Sequence, residues 1–388
     1  MKNSTSRPDF LRLGGAAASA ALAARCASRL PLYDVEPRTP GTPPPRRLER
    51  VDVSEDRIIR RVVGLRPFRP AGFVVRAESL GDQLLVHDYG HGGGGVTLSW
   101  GTAVLAADLV RESGRTGSAA VLGAGVIGLS AARVLQDRGF DVTIYARQLP
   151  PDTTSNVAGA MWNPSYVFHR SLRTPAFDAQ FERAQRLSHR IFQGLVGPDY
   201  AVRWRELFVL SDDPRAEGLP DWGLPELYPE KRVLTAGESP FSAPRVIRED
   251  TLFIEPATYL RSLLRDFHQA GGRVVVRELA SASQVSELPQ PVVVNATGLG
   301  ARELFGDREL VAVKGQLTVL LPQPEVDYAV ATEELYMFPR SDGIILGGTH
   351  ERGVETMEPD LQAEKRILAG QRAIFEAMKS VAAPRAPA

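Results

Sequence analysis

The chain of 388 residues holds one cysteine, Cys26. That excludes an intrachain disulfide and a thiolate-ligated metal cluster. Histidines number six and are scattered. His87 and His91 stand four apart, but in a glycine-rich stretch rather than on a helix, so their spacing makes no case for a metal site. An excess of one charge is missing too: 46 Lys and Arg balance 46 Asp and Glu. With no net field and no long basic run, nothing in the composition argues for a nucleic-acid partner. No apolar run reaches the roughly 18 residues of a membrane span. No internal repeat is visible.

What is present points to a globular chain. Its length suggests roughly two domains with ample core. At the N-terminus Lys2, Arg7 and Arg12 precede the Ala/Leu-rich run Leu13 to Ala24, the pattern of an export signal. Ser6 to Arg12 resembles a twin-arginine signal with Pro8 where the second arginine would stand. Ala23-Ala24-Arg25-Cys26 resembles a lipoprotein cleavage box with Arg25 where a small residue belongs. The expectation is export to the periplasm or exterior without a lipid anchor, with a cytoplasmic protein as the alternative. Residues 34–50, with Pro43-Pro44-Pro45, read as an extended linker.

The organising stretch is Ser118 to Tyr145. Ala119 to Leu122 read as a buried strand. Gly123-Ala124-Gly125-Val126-Ile127-Gly128 follows. Ile127, Ala131, Val134 and Leu135 then recur at helical spacing, Gly139 stops the helix, and Asp141 to Tyr145 alternates as a second strand. In this strand–turn–helix–strand setting the first glycine permits a tight turn, the second lets backbone approach a pyrophosphate, and the third lets helix pack on strand. The helix N-terminus faces the phosphates. A dinucleotide site is therefore expected. Its identity stays open at this level. The second strand ends in Ala146-Arg147 rather than in an acid, and an arginine there suits the 2′-phosphate of NADP as well as open solvent.

Upstream, Gly64-Leu65-Arg66-Pro67-Phe68-Arg69-Pro70 precedes a strand from Phe73 to Ala77. Leu84 to Gly90 reads as another strand, followed by His91 and Gly92-Gly93-Gly94-Gly95-Val96-Thr97, a loop whose backbone amides can approach a ligand. A helix is expected over Ala103 to Val110. Downstream, Phe177, Phe181, Ala184, Leu187 and Ile191 share a helical face. Residues 211–245 are rich in loop formers. Pro256 opens a helix with Leu260, Leu263, Leu264 and Phe267 inward. Arg273 to Val276 is a strand, and Leu310 to Leu321 and Tyr336 to Gly347 alternate as antiparallel strands. The last amphipathic helix carries Leu361, Ile367, Leu368, Ile374, Phe375 and Met378 on one side.

These segments resemble the D-amino acid oxidase family of FAD enzymes. Its GxRPxRP and HxYGHGGxGxT segments are matched at Gly64–Pro70 and His87–Thr97. Its flavin-facing loop resembles Thr153-Thr154-Ser155-Asn156-Val157-Ala158-Gly159 and Trp162-Asn163-Pro164. Later family strands resemble Val292 to Gly298, Tyr336 to Pro339 and Leu346-Gly347-Gly348. The resemblance covers most of residues 56–380. It implies an α/β fold: a doubly wound Rossmann-type FAD-binding domain (81–160 plus 246–305) and a mostly antiparallel α+β substrate domain (56–80, 161–245 and 306–384). The segment order differs from the family's, in which the dinucleotide unit comes first. The sequence therefore resembles a circular permutation, with the family's two ends joined through Arg111 to Ser118.

The resemblance also implies chemistry: oxidation of a D-amino acid at Cα with FAD as hydride acceptor, oxygen as co-substrate, and no metal or nucleic acid. Arg66 matches the arginine that clamps the substrate carboxylate through a bidentate fork, and Tyr336 a tyrosine that assists it. Gly93 would offer its carbonyl to the amine. Gly92, Gly95, Val96, Thr97, Gly123, Ala124, Gly125, Val126, Ile127, Gly128, Arg147, Thr153, Thr154, Ser155, Gly159, Ala160, Met161, Leu279 and Thr297 would contact FAD. Asn163 would line the pocket entrance, and Arg69 would be structural. Position 332 is Thr where the family often has a second tyrosine. Rival expectations are an oxidase of glycine or sarcosine, a flavin carrier without turnover, and an NADP-dependent reductase.

Overall fold

The computed structural model describes residues 48–379. The export-signal reading of residues 1–26 and most of the linker reading lie outside the described residues. In chain order the elements are β1 (Ile58–Phe68), β2 (Val74–Leu80), β3 (Gln83–Tyr89), α1 (Gly95–Glu112), β4 (Ser118–Leu122), α2 (Val126–Asp137), β5 (Asp141–Ala146), α3 (Pro175–Gly194), β6 (Val202–Ser211), β7 (Arg232–Val233), β8 (Arg245–Ile254), α4 (Pro256–Gln269), β9 (Arg273–Val276), α5 (Ala282–Ser286), β10 (Val292–Asn295), α6 (Gly300–Phe305), β11 (Val311–Leu320), β12 (Ala329–Ala331), β13 (Tyr336–Arg340), β14 (Gly343–Gly347), β15 (Glu351–Arg352) and α7 (Leu361–Glu376). No helix among the described residues is long and apolar enough to cross a membrane.

The strands form two sheets. The first runs β2-β3-β10-β4-β5-β9 and is parallel from β3 to β9, with β2 antiparallel on one edge. Its central strands, Ala119–Leu122 and Val292–Asn295, are continuously buried, as strands covered on both faces must be. β4 lies between β10 and β5, so the strand order reverses at its carboxyl end, where such sheets bind ligands. The second sheet runs β1-β11-β14-β13-β12-β6-β8-β7 with β15 beside β11; every pairing is antiparallel except β12 with β6.

Several expectations shift. β2, assigned to the substrate unit, is the edge of the parallel sheet, because it pairs with β3 from Val74↔Tyr89 to Leu80↔Gln83. β8, assigned to the flavin unit, pairs with β6 along its whole length in the antiparallel sheet. The glycine run is not an open loop: Gly92–Gly94 form a 3-10 turn and α1 begins at Gly95, eight residues before the expected start. α3, also placed in the substrate unit, packs on α1 and buries Phe177, Phe181 and Ala184 of the expected face, with the stripe widened toward its C-terminal half. Gln185, Ser188, His189 and Phe192 face inward, while Leu187 and Ile191 are only partly buried. The two helices approach closely at Gly101 of α1, where a Cβ would lie 2.0 Å from the Ala184 carbonyl oxygen, and the Gly101 N–H donates to Ser188 Oγ at 3.3 Å. Leu361, at the start of α7, is exposed because Asp360 caps the helix there and turns it toward solvent.

The two ends of the described chain meet. Arg50 donates to the Met378 carbonyl, Arg372 Nε to the Val53 carbonyl at 3.3 Å, and Arg61 pairs with Glu364 at 2.6 Å. The connection between α1 and β4, residues 113–117, is short and largely exposed.

Candidate active site

The glycine turn after β4 has the shape its residues require. Gly123 has φ 104°, and a Cβ there would lie 2.6 Å from the Ala296 carbonyl oxygen. A Cβ at Gly128 would lie 2.0 Å from the Gly123 carbonyl oxygen, so only glycine lets α2 seat on the turn. At Gly125 the sole neighbour within 4 Å is Ser155 Oγ, which accepts the Val126 N–H at 3.0 Å. The first turn of α2 carries no acidic side chain, so the positive end of the helix is left for an anion. Ala124 and Val126 are buried beneath it, with Ile127 partly so. This glycine cradle fits the pyrophosphate of a dinucleotide.

The strands that frame the cradle are pinned together. Thr297, after β10, places its N–H and hydroxyl on Asn295 Oδ1 at 3.2 and 2.7 Å. Asn295 Nδ2 donates to His87 Nδ1 at 3.0 Å, and the other ring nitrogen of His87 meets Glu78 at 3.1 Å. The loop after β5 closes the other side. Thr153 Oγ1 bonds Asn156 at 2.8 Å, and Thr154 and Ser155 open a 3-10 turn. Ala160 takes φ 59° and its carbonyl accepts the Ile254 N–H, and Met161 bridges Phe253, which ties this loop to the antiparallel sheet. Arg147 points into solvent beside Glu278 at 3.6 Å, and its neighbour Leu279 is partly buried.

The substrate residues named from motif meet on that second sheet. Arg66 stands on β1 and Tyr336 on β13, with β11 and β14 between them. Each lies over a glycine of the intervening strands. A Cβ at Gly315 would lie 2.2 Å from Arg66 Nη1, and one at Gly347 would lie 2.1 Å from Tyr336 Cζ. Arg66 Nη1 donates to the Thr349 carbonyl at 3.3 Å, and the guanidinium also hydrogen-bonds the Tyr336 phenol. Burial raises the Tyr336 phenol, and the nearby Arg66 cation opposes the rise. The Tyr336 ring stacks on Phe338 with centroids 4.6 Å apart, and a Cβ at Gly159 would lie 3.3 Å from the Tyr336 ring. Tyr336 and the loop ending at Gly159 are thus in contact.

The glycine run approaches the same region. Gly93 N–H donates to the Tyr166 carbonyl at 3.1 Å, and a Cβ at Gly92 would lie 2.0 Å from that oxygen. Gly95 opens α1, with Val96 and Thr97 buried in its first turn. Asn163 is buried, with Nδ2 on the Pro220 carbonyl at 3.3 Å. Arg69 is held by Asp307 and Glu309, both at 3.1 Å, in a structural role.

Sequence reasoning missed two residues here. Tyr166 is exposed with φ 52°, and its ring stacks on His350 with centroids 4.0 Å apart at 21°. Burial and the Arg66 cation hold the His350 imidazole down to about 4. No spacing marks either residue. The only sequence signal is that His350 directly follows the Leu346-Gly347-Gly348-Thr349 strand end.

The family described as FAD dependent oxidoreductase matches residues 118–386. A D-amino-acid oxidase of Rubrobacter xylanophilus is 35% identical over 256 residues, covering 64% of this chain and 74% of that protein. A D-amino-acid oxidase of Streptomyces coelicolor is 31% identical, covering 66% and 76%. The human D-aspartate oxidase is 28% identical, covering 65% and 74%. Among solved structures, glycine oxidase from Geobacillus kaustophilus aligns with TM-score 0.49 at 18% identity, covering 68% of this chain and 80% of that one.

Proposed function

The chain belongs to the family of FAD-dependent oxidoreductases that includes the D-amino-acid oxidases, with FAD rather than NADP as its cofactor, and on that premise we propose that it oxidises D-amino acids to 2-oxo acids. Ammonia and hydrogen peroxide are the other products. The observation that carries this reading is the convergence of Arg66 and Tyr336 over Gly315 and Gly347, against the loop that ends at Gly159. A fork and a phenol on one side of a glycine floor hold a carboxylate in a single orientation. The residues that would hold the cofactor are the cradle Gly123–Gly128, the loop Thr153–Met161, Thr297 and the turn Gly92–Thr97. Bound there, FAD would supply a hydride acceptor facing Cα and a route for the electrons to oxygen. The protein's share is orientation: with the carboxylate fixed, one face of Cα is turned to the cofactor. The names of the relatives support a D-amino acid over glycine. The test is peroxide release by the flavin-loaded protein with D-alanine, D-aspartate, D-methionine, D-lysine, their L-enantiomers, glycine and sarcosine. Turnover confined to glycine and sarcosine replaces the reading with its closest rival.

We infer that the segments are circularly permuted relative to these relatives. Three observations support it. The family match starts at Ser118, the first residue of β4. The 58–112 segment upstream supplies strands to both sheets rather than a separate domain. The end of α7 lies beside residues 50–53.

A further inference from the structure

A glycine cradle such as Gly123–Gly128 leaves one task to the end of the strand that follows it. An acid there takes a hydrogen bond from the ribose of the adenosine. In this chain the residue just past β5 is Arg147. A guanidinium only donates, so it cannot receive a hydroxyl proton. FAD, for its part, carries a free 2′-hydroxyl on that ribose and no 2′-phosphate for an arginine to pair. The cradle and the cofactor therefore call for an acceptor that β5 does not supply.

We propose that Glu278, from the neighbouring strand β9, is that acceptor and holds the 2′-hydroxyl of the FAD adenosine. In the sheet order β4-β5-β9, the cradle stands at the end of β4, the ribose position at the end of β5, and Glu278 just past the end of β9. β5 and β9 run parallel, with Ala146 opposite Val276. The Arg277 N–H donates to the Ala146 carbonyl at 3.0 Å, so the two chains stay side by side beyond the last paired residues. Among the described residues the acid that meets Arg147 is Glu278, whose Oε1 lies 3.6 Å from Nη1. Its place is fixed from below. Leu279, next in sequence, and Tyr145, two before Arg147, pack on one apolar cluster with Leu122, the residue before the glycine turn. Val276, two residues before Glu278, is 67% exposed at this end of the sheet. An apolar surface beside a carboxylate matches an adenosine, with its flat ring and its ribose hydroxyls.

Arg147 then has a different part from the one its position suggests. Its cation is turned to Glu278 and holds the carboxylate at the ribose. A carboxylate there also repels a 2′-phosphate, so the pair that accepts the hydroxyl of FAD turns NADP away. The acid and the base of the pair sit on two strands, and neither strand alone carries the recognition.

Both side chains are exposed, so replacing either leaves the core intact. Holoprotein is diluted, and the fluorescence of released FAD gives its dissociation constant. Glu278→Ala is expected to bind FAD more weakly by on the order of tenfold, the share of one hydrogen bond to a charged acceptor. A dissociation constant equal to the parent's overturns the proposal. Arg147→Ala is expected to lose less than Glu278→Ala; a greater loss makes Arg147 the ribose contact and overturns it as well. The hydroxyl is tested directly with protein stripped of flavin and titrated with FAD and with its 2′-deoxyadenosine analogue. Removing the hydroxyl is expected to weaken binding by on the order of tenfold in the parent and by less than about twofold in Glu278→Ala. An equal loss in both means that Glu278 does not touch the hydroxyl, and the proposal fails. No substrate enters either measurement, so the result holds whichever amino acid the flavin oxidises.

Discussion

The Arg66 guanidinium fills the space that a side chain at Gly315 would need, 2.2 Å from where its Cβ would sit. Gly315 lies on β11, beside the β1 strand that carries Arg66. The absence of a side chain at 315 thus makes the room in which the proposed carboxylate clamp sits. Gly315→Ala displaces the movable end of a flexible side chain, so folding survives and the clamp does not. The expected outcome is a kcat/KM at least about tenfold lower, some 1.4 kcal/mol in transition-state binding, with flavin content unchanged. An unaltered kcat/KM would show that Arg66 has room to spare.

Arg66→Ala removes the charge outright. Loss of a charge-assisted contact to a carboxylate costs about 2–3 kcal/mol, or on the order of a hundredfold in kcat/KM. Flavin absorbance per chain is expected to stay at the parent value, because the cradle around Gly123–Gly128 is built by other strands. A parent-like kcat/KM removes Arg66 from the clamp.

Gly128→Ala tests the cradle. Its new Cβ would lie 2.0 Å from the Gly123 carbonyl oxygen, a backbone atom that cannot swing aside. Flavin per chain and Tm are both expected to fall. Gly194→Ala, at the end of α3 with nothing within 4 Å of its Cβ, is the matched control and is expected to leave both unchanged.

Glu249 sets a pH dependence of stability. It is buried on β8, its Oε2 has no hydrogen-bond partner, and burial pushes it up to about 7, opposed in part by Lys231. A carboxyl raised in the folded state contributes fully below its unfolded value of about 4.3 and loses that contribution as pH climbs through about 7. Glu249→Gln is therefore expected to raise stability by about 1–3 kcal/mol at pH 8 and to bring no comparable gain at pH 4. Urea titrations at the two pH values measure the difference; equal effects at both would mean that Glu249 does not titrate in this window.

The permutation has its own test. A chain opened between Gly117 and Ser118, with Lys379 joined to Leu48 by a short flexible linker, keeps every strand pairing of both sheets. It cuts an exposed connection and joins ends already held by the contacts of Arg50 with Met378 and of Arg372 with Val53. It is expected to fold with a full complement of flavin. A rearranged chain that stays unfolded would mean that the 113–117 connection constrains the fold.

The sequence by itself determined the β4–α2–β5 unit. Its period, its glycines and its stop signals are local, and the elements they build, Ser118–Leu122, Val126–Asp137 and Asp141–Ala146, are neighbours in chain and in space. It also named Arg66 and Tyr336, because their motifs are contiguous. Only the tertiary structure decided that those two side chains converge over Gly315 and Gly347, since that depends on the order β1-β11-β14-β13. The same holds for β2 and β8: a strand's side-chain alternation is identical in either sheet, and membership is settled by backbone hydrogen bonds to partners distant in sequence. For α3, helical period placed Phe177, Phe181 and Ala184 on the buried face, while the close approach of Gly101 to Ala184 that buries Gln185 and Ser188 beside them is a contact helical period alone does not contain. His350 and Tyr166 carry no periodicity or spacing that singles them out. They become a pair because the strand end after Gly347 and the turn after Asn163 are brought face to face by the two sheets, and through-space stacking leaves no mark on either local sequence.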